Sequence, residues 1–329
     1  MISSLADILK LSEHANAMVH PFGAMHHLKK KISLMLAAAL TAGLALTGCG
    51  GSKTSDTTDN TAGAENESTA EVKGVDVDTT GYLVAALNAD IQTADVQKTS
   101  KDYEVPFNIF DRLVDVEVDA DGNSKIVPSL AESWDISDDG LEYTFHLRQG
   151  VKFHNGNDFT AEDVAYTFHR MLTVEGGVNT EFIDQIKGAD ELLAGETDTL
   201  EGVEVVDDYT IKVTLKESFA GFLASISSPG VSIYDSEATE AAGDQFGMDP
   251  AVTVGTGPFE FSSWSFNNQL VLTRNEDYWK GASGLPGVVI KIIPDTETQS
   301  MMFESGELDI LDLDYAADSA DRFTETYPD

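Results

Sequence analysis

Alternating apolar and polar residues predict a β-hairpin from two strands, Ala131–Ile136 and Leu141–Arg148. In the second strand every other residue is apolar, which is the period of a strand with one buried face. The apolar positions are Tyr143, Phe145 and Leu147. Asp139-Gly140 lies between the two strands, and this dipeptide is typical of a hairpin turn.

A helix is predicted to begin after Thr160. Asp163 stands three residues further on, which makes a variant of the capping box, and Phe159 and Val164 are spaced as a hydrophobic staple. The apolar residues that follow fall on one helical stripe, which predicts the buried face of the helix. They are Val164, Phe168, Met171 and Leu172.

The same reasoning predicts further elements along the chain. Strands are predicted at Tyr82–Ala86, Val114–Val118, Lys125–Val127, Val203–Val206, Thr210–Leu215, Phe259–Trp264, Gln269–Thr273, Val288–Ile293 and Ser305–Ile310. Helices are predicted at Val105–Leu113, Phe182–Ala194, Phe219–Ile226, Ser236–Ala242 and Thr296–Glu304, the last with a Thr296/Gln299 capping box. The run that ends at Ile310 therefore predicts a strand–helix–strand crossover of the kind found in mixed sheets.

The acidic stretch Asp119–Asn123 has two interpretations. With Gly122 at the sixth position of a calcium-binding loop, Glu117, Asp119 and Asp121 would be ligands, but Pro128 occupies the twelfth position, where a bidentate Glu is required. A hairpin turn between the flanking strands is the favoured interpretation.

Two blocks of sequence carry a family resemblance. The first block contains Ala131-Glu132-Ser133-Trp134, Asp138-Asp139-Gly140, Tyr143–Arg148, Gly150–Gly156 and Thr160–Val164, and the second contains Gly255–Phe261, Arg274–Trp279 and Ser305–Ile310. In this order they closely resemble the family 5 extracellular solute-binding proteins, the oligopeptide, dipeptide and nickel receptors of ABC importers. The chain departs from the family pattern at Asn157–Phe159, and at Thr93–Val96, where the family carries a Leu-Asp-Pro-like motif.

The chain has 329 residues, 42% of them hydrophobic, which suffices for about two domains with a sizeable core. Its formal charge is −37, and the four lysines and two acidic residues before Cys49 leave the remainder near −39. Such a charge argues against nucleic acid or an anionic membrane surface as a partner. Solubility of an exported protein is the favoured interpretation of the charge, ahead of attraction of a cationic ligand.

Residues 1–48 are typical of a leader. Lys29–Lys31 form a basic region, and the sixteen uncharged residues Ile32–Thr47 are too few for a comfortable transmembrane helix. The leader ends in Leu-Thr-Gly before Cys49, which resembles a bacterial lipobox and predicts lipid attachment at that sulfur. Residues 1–24 precede the basic region without a clear role, and the hypothesis is that Met25 is the natural start.

Residues 49–73 are interpreted as the lipidated cysteine and a flexible tether. Gly50–Ala70 contains no large apolar residue, so it cannot bury enough surface to order itself. Two acyl chains would hold the protein on the extracytoplasmic face of the cell membrane, where one chain binds only reversibly. Cys49 is the single cysteine of the chain, so no disulfide is expected in the mature protein.

No catalytic, cofactor or metal site is predicted. The sequence contains no phosphate loop, nucleophile elbow or zinc-type His/Glu pair on a helix. The three histidines after the leader lack close ligand spacing and are interpreted as ordinary surface or core residues; they are His146, His154 and His169. Three aromatic residues could stack on a ligand, although packing against a sheet is favoured; they are Trp264, Tyr278 and Trp279.

The resemblance implies the fold and the domain organisation. The fold class is α/β, a type II periplasmic-binding-protein-like lobe with a mixed sheet and an inserted α+β subdomain. Residues 74–106 and 200–329 are assigned to this first lobe, which is incomplete, and residues 107–199 to the inserted subdomain. Since family members are usually longer, the chain is expected to be a fragment that lacks most of the second lobe, and half a cleft should bind ligand poorly.

The resemblance also implies the function: a monomeric substrate-binding lipoprotein that captures oligopeptides and delivers them to an ABC permease without catalysis. The loop Lys98, Thr99 and Ser100 and the residue Phe182 are expected to face the ligand. A receptor for nickel chelates, glycosides or opines is the alternative within the family. A secreted hydrolase or surface adhesion protein is the alternative outside it, although neither a convergent catalytic set nor repeats are found.

Overall fold

The structure is a computed structural model that describes residues 72–119, 122–312 and 323. Within these residues the chain forms eleven strands and six α-helices. The strands are β1 (Val72–Gly74), β2 (Leu83–Leu87), β3 (Val114–Val118), β4 (Ser124–Pro128), β5 (Ala131–Ile136), β6 (Glu142–Leu147), β7 (Val203–Asp207), β8 (Thr210–Thr214), β9 (Phe259–Ser265), β10 (Gln269–Arg274) and β11 (Gly287–Ile292). The helices are α1 (Pro106–Ile109), α2 (Ala161–Thr173), α3 (Ala189–Leu193), α4 (Phe222–Ile226), α5 (Ser236–Ala242) and α6 (Thr296–Ser305).

A five-stranded mixed sheet has the order β1-β9-β10-β11-β2. Strand β2 runs parallel to β11, and the other neighbours are antiparallel. Its apolar residues form the five-stranded-sheet core, which includes Ala85, Phe259, Leu270 and Ile290 and also receives Phe110 and Tyr234. The predicted β9–β10 pairing is confirmed, whereas β1 was not predicted.

A four-stranded antiparallel sheet has the order β5-β6-β8-β7. Both predicted hairpins, β5–β6 and β7–β8, are confirmed. The alternating residues of β6 and β8 point into the four-stranded-sheet core, together with the apolar stripe of α2. This face consists of Tyr143, Phe145, Leu147, Ile211 and Val213, with Val164, Phe168, Met171 and Leu172 from the helix.

The predicted start of α2 is confirmed. Thr160 is extended (φ −138°, ψ 175°). The backbone amide of Thr160 donates a hydrogen bond to the Oδ2 atom of Asp163 at 2.9 Å, which completes the capping box. The Oδ1 atom of Asp163 also accepts bonds from the amide and hydroxyl of Ser236, the first residue of α5. Burial raises the pKa of Asp163 and these hydrogen bonds oppose that shift. The cap of one helix therefore also fixes the start of another.

The hairpin interpretation of Asp119–Asn123 is confirmed, because β3 and β4 pair antiparallel from Val114 opposite Pro128 to Val118 opposite Ser124. Asp119 lies in the turn, and its carboxylate accepts hydrogen bonds from the amide and side chain of Asn123. Residues 120 and 121 lie outside the described residues.

The helix predicted at Val105–Leu113 is wrong in length. Helix α1 covers four residues, and Phe110 is already extended (φ −124°, ψ 154°). The Ile109 carbonyl, which in a longer helix would accept from the Leu113 amide, accepts instead from the Gly257 amide at 3.1 Å, so long-range pairing replaces the helix. Phe107 is half-buried, whereas Phe110 and Leu113 are buried.

The helix predicted at Phe182–Ala194 is also too long. A 3₁₀ turn at Thr180–Phe182 is followed by α3, which begins only at Ala189. Between them, Ile186 forms a β-bridge with Leu215, and the Lys187 amide donates to the Thr214 carbonyl at 2.9 Å. The end of the interior strand β8 therefore captures the segment that was predicted as helix.

The helix predicted at Thr296–Glu304 is confirmed as α6, but the predicted Thr296/Gln299 capping box is wrong. Asp295 is the N-cap, and its Oδ1 atom accepts a hydrogen bond from the Thr298 amide at 2.8 Å. Residues 307–310 do not form the predicted strand. They nevertheless run beside β2, because the Asp309 amide donates to the Val84 carbonyl at 2.7 Å.

A close approach of two backbone segments makes Gly255 sensitive to substitution. An added Cβ atom would overlap the Ile109 carbonyl oxygen and lie 2.5 Å from Cδ1 of Phe110. We expect Gly255→Ala to lower the free energy of unfolding by about 2 kcal/mol, because a buried side-chain atom without space forces the backbone to shift. Urea unfolding of the purified chain measures this change.

The matched control is Gly284→Ala, since no atom lies within 4 Å of a Cβ at that position. It should change the free energy of unfolding by less than about 0.5 kcal/mol. Equal stability of the two variants would contradict the packing argument.

Candidate functional site

The loop that follows β2 carries three of the predicted ligand-contact residues. Lys98 is half-buried and lies 4.0 Å from the carboxylate of the exposed Asp244, a distance at which a surface ion pair contributes little. Thr99 is buried, and its hydroxyl donates to the Lys101 carbonyl at 2.8 Å. Ser100 is exposed at the tip of the loop. The three residues thus form a short ridge with one charged and one hydroxyl side chain toward solvent.

The structure brings this loop together with the segment of the fourth predicted residue, Phe182. The link is Asn179, at the start of the 3₁₀ turn, whose Nδ2 atom donates to the Thr99 carbonyl at 2.9 Å. Gly230 lies against the same segment, because a Cβ added there would be 3.0 Å from both Nδ2 of Asn179 and Cε2 of Phe182. Three segments distant in sequence therefore meet at one place.

Several backbone groups of the loop remain without a hydrogen-bond partner among the described residues. These groups are the carbonyl of Lys98, the amide of Thr99, and both the amide and the carbonyl of Ser100. Neighbouring groups are paired, since the Lys98 amide donates to the Asp95 carbonyl at 2.9 Å and the Gln97 carbonyl accepts from Val178 at 2.8 Å. A backbone group without a partner in the fold must bond to water or to another molecule, and the exposed Ser100 is open to either.

Tyr103 forms the far side of the loop. Its hydroxyl donates to the Thr99 carbonyl at 3.4 Å and accepts from Asn179 at 3.1 Å, and its ring packs edge-on against Phe107. Burial raises the pKa of Tyr103, so its phenol stays protonated at neutral pH and can donate. Next to it, burial and then the charges of Asp102 and Asp312 raise the pKa of Glu104.

A buried ion pair fixes the start of the loop. Asp95 is fully buried and lies 2.7 Å from the guanidinium of Arg170 on α2, which also donates to Gln97 at 2.5 Å. The Tyr234 hydroxyl donates to Asp95 at 3.0 Å, and burial raises the pKa of this phenol well above its usual value. Removing one partner of such a pair leaves an uncompensated buried charge, which is strongly destabilising. The contacts of Asp95 therefore hold the start of the loop in place.

Burial of Arg170 opposes its charge, but the hydrogen bond and charge of Asp95 outweigh that effect and raise the pKa of the guanidinium. The guanidinium of Arg170 therefore stays charged throughout the physiological pH range. The sequence analysis did not indicate that Asn179 holds the loop, nor that Asp95 and Arg170 form an ion pair. Asn is the residue most tolerant of left-handed conformations after Gly, which is the one local signal at position 179.

The other residues considered as ligand contacts are engaged inside the fold. The Trp264 indole donates to the Asp90 carboxylate at 3.1 Å, whereas Tyr278 and Trp279 donate to Asp111 at 3.1 and 2.9 Å. These bonds favour the structural interpretation of the three aromatic residues. Phe182 is half-buried.

The histidines are dispersed. His146 lies 2.9 Å from the carboxylate of Asp135, and His169 lies 3.1 Å from the Asp198 carbonyl, both in exposed positions. Within the described residues no group of three or more His, Cys, Asp or Glu side chains could hold a metal ion. In the same part of the chain no helix is both long and apolar enough to cross a membrane. Cys49 lies outside the described residues, so its lipid attachment remains a prediction.

Comparison with known proteins identifies the family. The model of the middle region of the bacterial extracellular solute-binding proteins of family 5 matches residues 125–327. Heme-binding protein A of Haemophilus influenzae is 34% identical over 311 residues, which cover 91% of this chain and 53% of the relative.

Two solved structures share the fold. The substrate-binding domain of an oligopeptide ABC transporter from Bacillus anthracis has a TM-score of 0.64 and 28% identity over 69% of this chain and 44% of its own. The periplasmic binding protein DppA from Helicobacter pylori, in complex with the peptide STSA, has a TM-score of 0.59 and 32% identity over 69% of this chain and 45% of its own. The chain therefore spans about half the length of these relatives.

These likenesses confirm the predicted fold class, an α/β lobe of the type II periplasmic-binding-protein kind. The matched family consists of extracellular proteins that bind solutes, and its members serve as receptors of ABC transporters. The chain belongs to family 5 of the bacterial extracellular solute-binding proteins.

Proposed function

We propose that the chain contributes one wall of the ligand cleft in the peptide-binding component of an ABC importer. The protein would capture oligopeptides outside the cytoplasm and deliver them to a permease, without catalysing a reaction. The sequence supports attachment to the outer face of the cell membrane through lipid on Cys49, followed by a polar tether.

The observation that carries the peptide proposal is the strip of backbone groups at Lys98, Thr99 and Ser100 that have no hydrogen-bond partner among the described residues. A peptide presents the complementary amides and carbonyls along its own main chain. Hydrogen bonds between main chains give affinity with little regard to side-chain identity, as in peptides that add to the edge of a sheet. This is the recognition that an importer of varied oligopeptides requires.

Haem is the second candidate ligand, because a relative named heme-binding protein A is 34% identical over most of the chain. The described residues favour peptide. His154 has both ring nitrogens engaged by backbone groups, Nε2 with the Gly257 carbonyl at 3.0 Å and Nδ1 with the Gly255 amide at 3.1 Å. This histidine is therefore occupied by the fold and cannot bind an iron without breaking those bonds.

The test uses the gene product extracted from the membranes of its source cell. Mass spectrometry should find acyl chains on Cys49 as the first residue, and peptides released on denaturation. In titrations, trialanine and tripeptides with other side chains should bind with affinities within about tenfold of each other. Methylation of a backbone nitrogen of the peptide that donates a hydrogen bond to the loop should weaken binding at least about tenfold.

The alternative ligands, haem and a nickel chelate, are tested on the same protein. Absorbance reports the binding of haem. Binding of either without any binding of peptide would overturn the peptide proposal. An unmodified Cys49 in the membrane-extracted protein would overturn the anchor alone.

A further inference from the structure

We propose that Asn179 is a positioning residue that holds the ligand-contact loop, residues 96–103, in its binding conformation. This inference rests on the proposed function, because it assigns a role within the same cleft wall. The side chain of Asn179 lies beneath the loop and is not itself part of the strip offered to ligand.

The geometry places one amide nitrogen at the centre of the loop. Nδ2 of Asn179 lies 2.9 Å from the carbonyl oxygen of Val96, 2.9 Å from that of Thr99, and 3.1 Å from the hydroxyl of Tyr103. These acceptors come from the beginning, middle and end of the loop. Since Nδ2 carries two protons, the two carbonyls can be satisfied fully while the tyrosine hydroxyl shares one of them.

The surroundings of Asn179 show that its position is built into the fold. The residue is only 6% exposed and adopts the left-handed conformation (φ 67°, ψ 13°). The preceding amide, of Val178, donates to the Gln97 carbonyl at 2.8 Å, and Gly230 leaves the space that the side chain needs. An uncommon backbone conformation persists in a buried residue only when contacts with neighbouring residues hold it there.

The consequence concerns which loop groups remain for a ligand. Asn179 turns the carbonyls of Val96 and Thr99 inward. The groups left without a partner among the described residues are the Lys98 carbonyl, the Thr99 amide, and the amide and carbonyl of Ser100. Without the amide, the Val96 carbonyl loses its partner, the Thr99 carbonyl keeps only the 3.4 Å bond from the Tyr103 hydroxyl, and the loop must rearrange to reach water. The binding-competent conformation would then be less populated, and the apparent affinity would fall by the same factor.

The test compares Asn179→Gly with Asn267→Gly in the gene product extracted from the membranes of its source cell, because half a cleft is expected to bind ligand poorly. Glycine accepts both left-handed conformations, so each variant loses only a side chain. Asn267 is exposed at φ 55° between β9 and β10, and within the described residues its side chain makes no hydrogen bond. Hydrogen exchange read by mass spectrometry reports the loop, and titration with trialanine reports the ligand site.

We expect Asn179→Gly to speed exchange of the hydrogen-bonded loop amides, those of Gln97, Lys98 and Lys101, and to weaken trialanine binding, each by about tenfold or more, as expected for the loss of two buried hydrogen bonds. Asn267→Gly should leave both values unchanged. Unchanged loop exchange in Asn179→Gly, or an affinity loss equal in both variants, would overturn the proposal. If wild type binds no peptide, the proposed function fails, whereas loop exchange still decides whether Asn179 holds the loop.

Asn179→Asp is the second variant, and it keeps the size of the side chain. An ionised carboxylate cannot donate to the two carbonyls, but a protonated carboxyl can donate to one of them. Since burial raises the pKa of a carboxyl above its usual value near 4, the rise in loop exchange relative to wild type at the same pH should be larger at pH 7 than at pH 4. A defect that does not depend on pH would contradict hydrogen-bond donation as the mechanism.

Discussion

Replacing Asp111 with alanine is expected to lower the free energy of unfolding by about 4 kcal/mol, because it leaves several buried donors without an acceptor. The side chain of Asp111 is only 7% exposed. It accepts hydrogen bonds from the Thr256 hydroxyl at 3.0 Å, the Tyr278 hydroxyl at 3.1 Å and the Trp279 indole at 2.9 Å. The ammonium group of Lys280 lies 3.8 Å away.

The size of this effect follows from the position of Asp111 between the two cores. Its neighbour Phe110 packs in the five-stranded-sheet core, whereas Leu113 packs in the four-stranded-sheet core. The Asp111 carbonyl also accepts a hydrogen bond from the Ile233 amide at 2.9 Å. Loss of the carboxylate should therefore loosen the connection between the cores as well as destabilise its own surroundings.

Urea unfolding followed by tryptophan fluorescence measures this prediction, since Trp279 reports on the site directly. Asp111→Asn keeps one acceptor oxygen and should cost about half as much. The control is Asp208→Ala, because Asp208 is exposed in the turn between β7 and β8. A loss below about 1 kcal/mol for Asp111→Ala would show that water satisfies the donors instead.

Sequence predicted most reliably the elements whose signals are local. The hairpins β5–β6 and β7–β8 combine alternating residues with short polar turns, and α2 combines an apolar stripe with a capping box. In each case the residues that decide the structure lie within a few positions of one another. A pattern read along the chain therefore contains the information that it needs.

Prediction failed where distant segments supply the hydrogen bonds. The amide of Gly257 captures the carbonyl of Ile109 where α1 ends early, and Leu215 captures Ile186 where a helix was expected. The N-cap of α6 was misplaced by one residue because Thr296 and Asp295 are both good caps by type. Only the geometry shows that Asp295 receives the Thr298 amide.

The candidate site shows the same division. Lys98, Thr99, Ser100 and Phe182 could be named because the family resemblance placed them near the ligand. Their connection through Asn179 could not be predicted, because it joins residues about eighty positions apart by hydrogen bonds to backbone carbonyls. Such acceptors carry no residue signature, so no pattern of residue types could have indicated them.

His154 is expected to make the fold less stable in mild acid. Its ring is packed against the Gly255–Gly257 backbone, where Nε2–H donates to the Gly257 carbonyl and Nδ1 accepts from the Gly255 amide. These two bonds define one neutral tautomer, since a protonated ring would place a proton between Nδ1 and the amide. Burial lowers the pKa of His154 to about 4, although the Gly257 carbonyl and the Asp111 charge oppose the shift.

The sign of the pH effect follows from which state binds the proton. Above pH 6.5 the ring is neutral in both the folded and the unfolded chain, so His154 adds no pH dependence. As pH falls from 6.5 to about 4, the unfolded chain takes up a proton and the folded chain does not. The free energy of unfolding therefore decreases over this window by up to about 3 kcal/mol, and the contribution becomes constant below it.

Two measurements check this expectation. The second compares variants that share the same carboxylates, so the contribution of carboxylate titration to the pH dependence cancels. The NMR signals of the His154 ring should stay those of neutral imidazole until the pH approaches 4. Urea unfolding from pH 7 to pH 4.5 should show a shallower pH dependence in His154→Gln than in wild type, because glutamine offers a donor and an acceptor but does not titrate. Asn267→Gly, which removes an exposed side chain that does not titrate, should leave the dependence unchanged. A His154 ring that protonates near pH 6, or equal pH dependence in all three proteins, would mean that the Gly255–Gly257 backbone accommodates the charged ring.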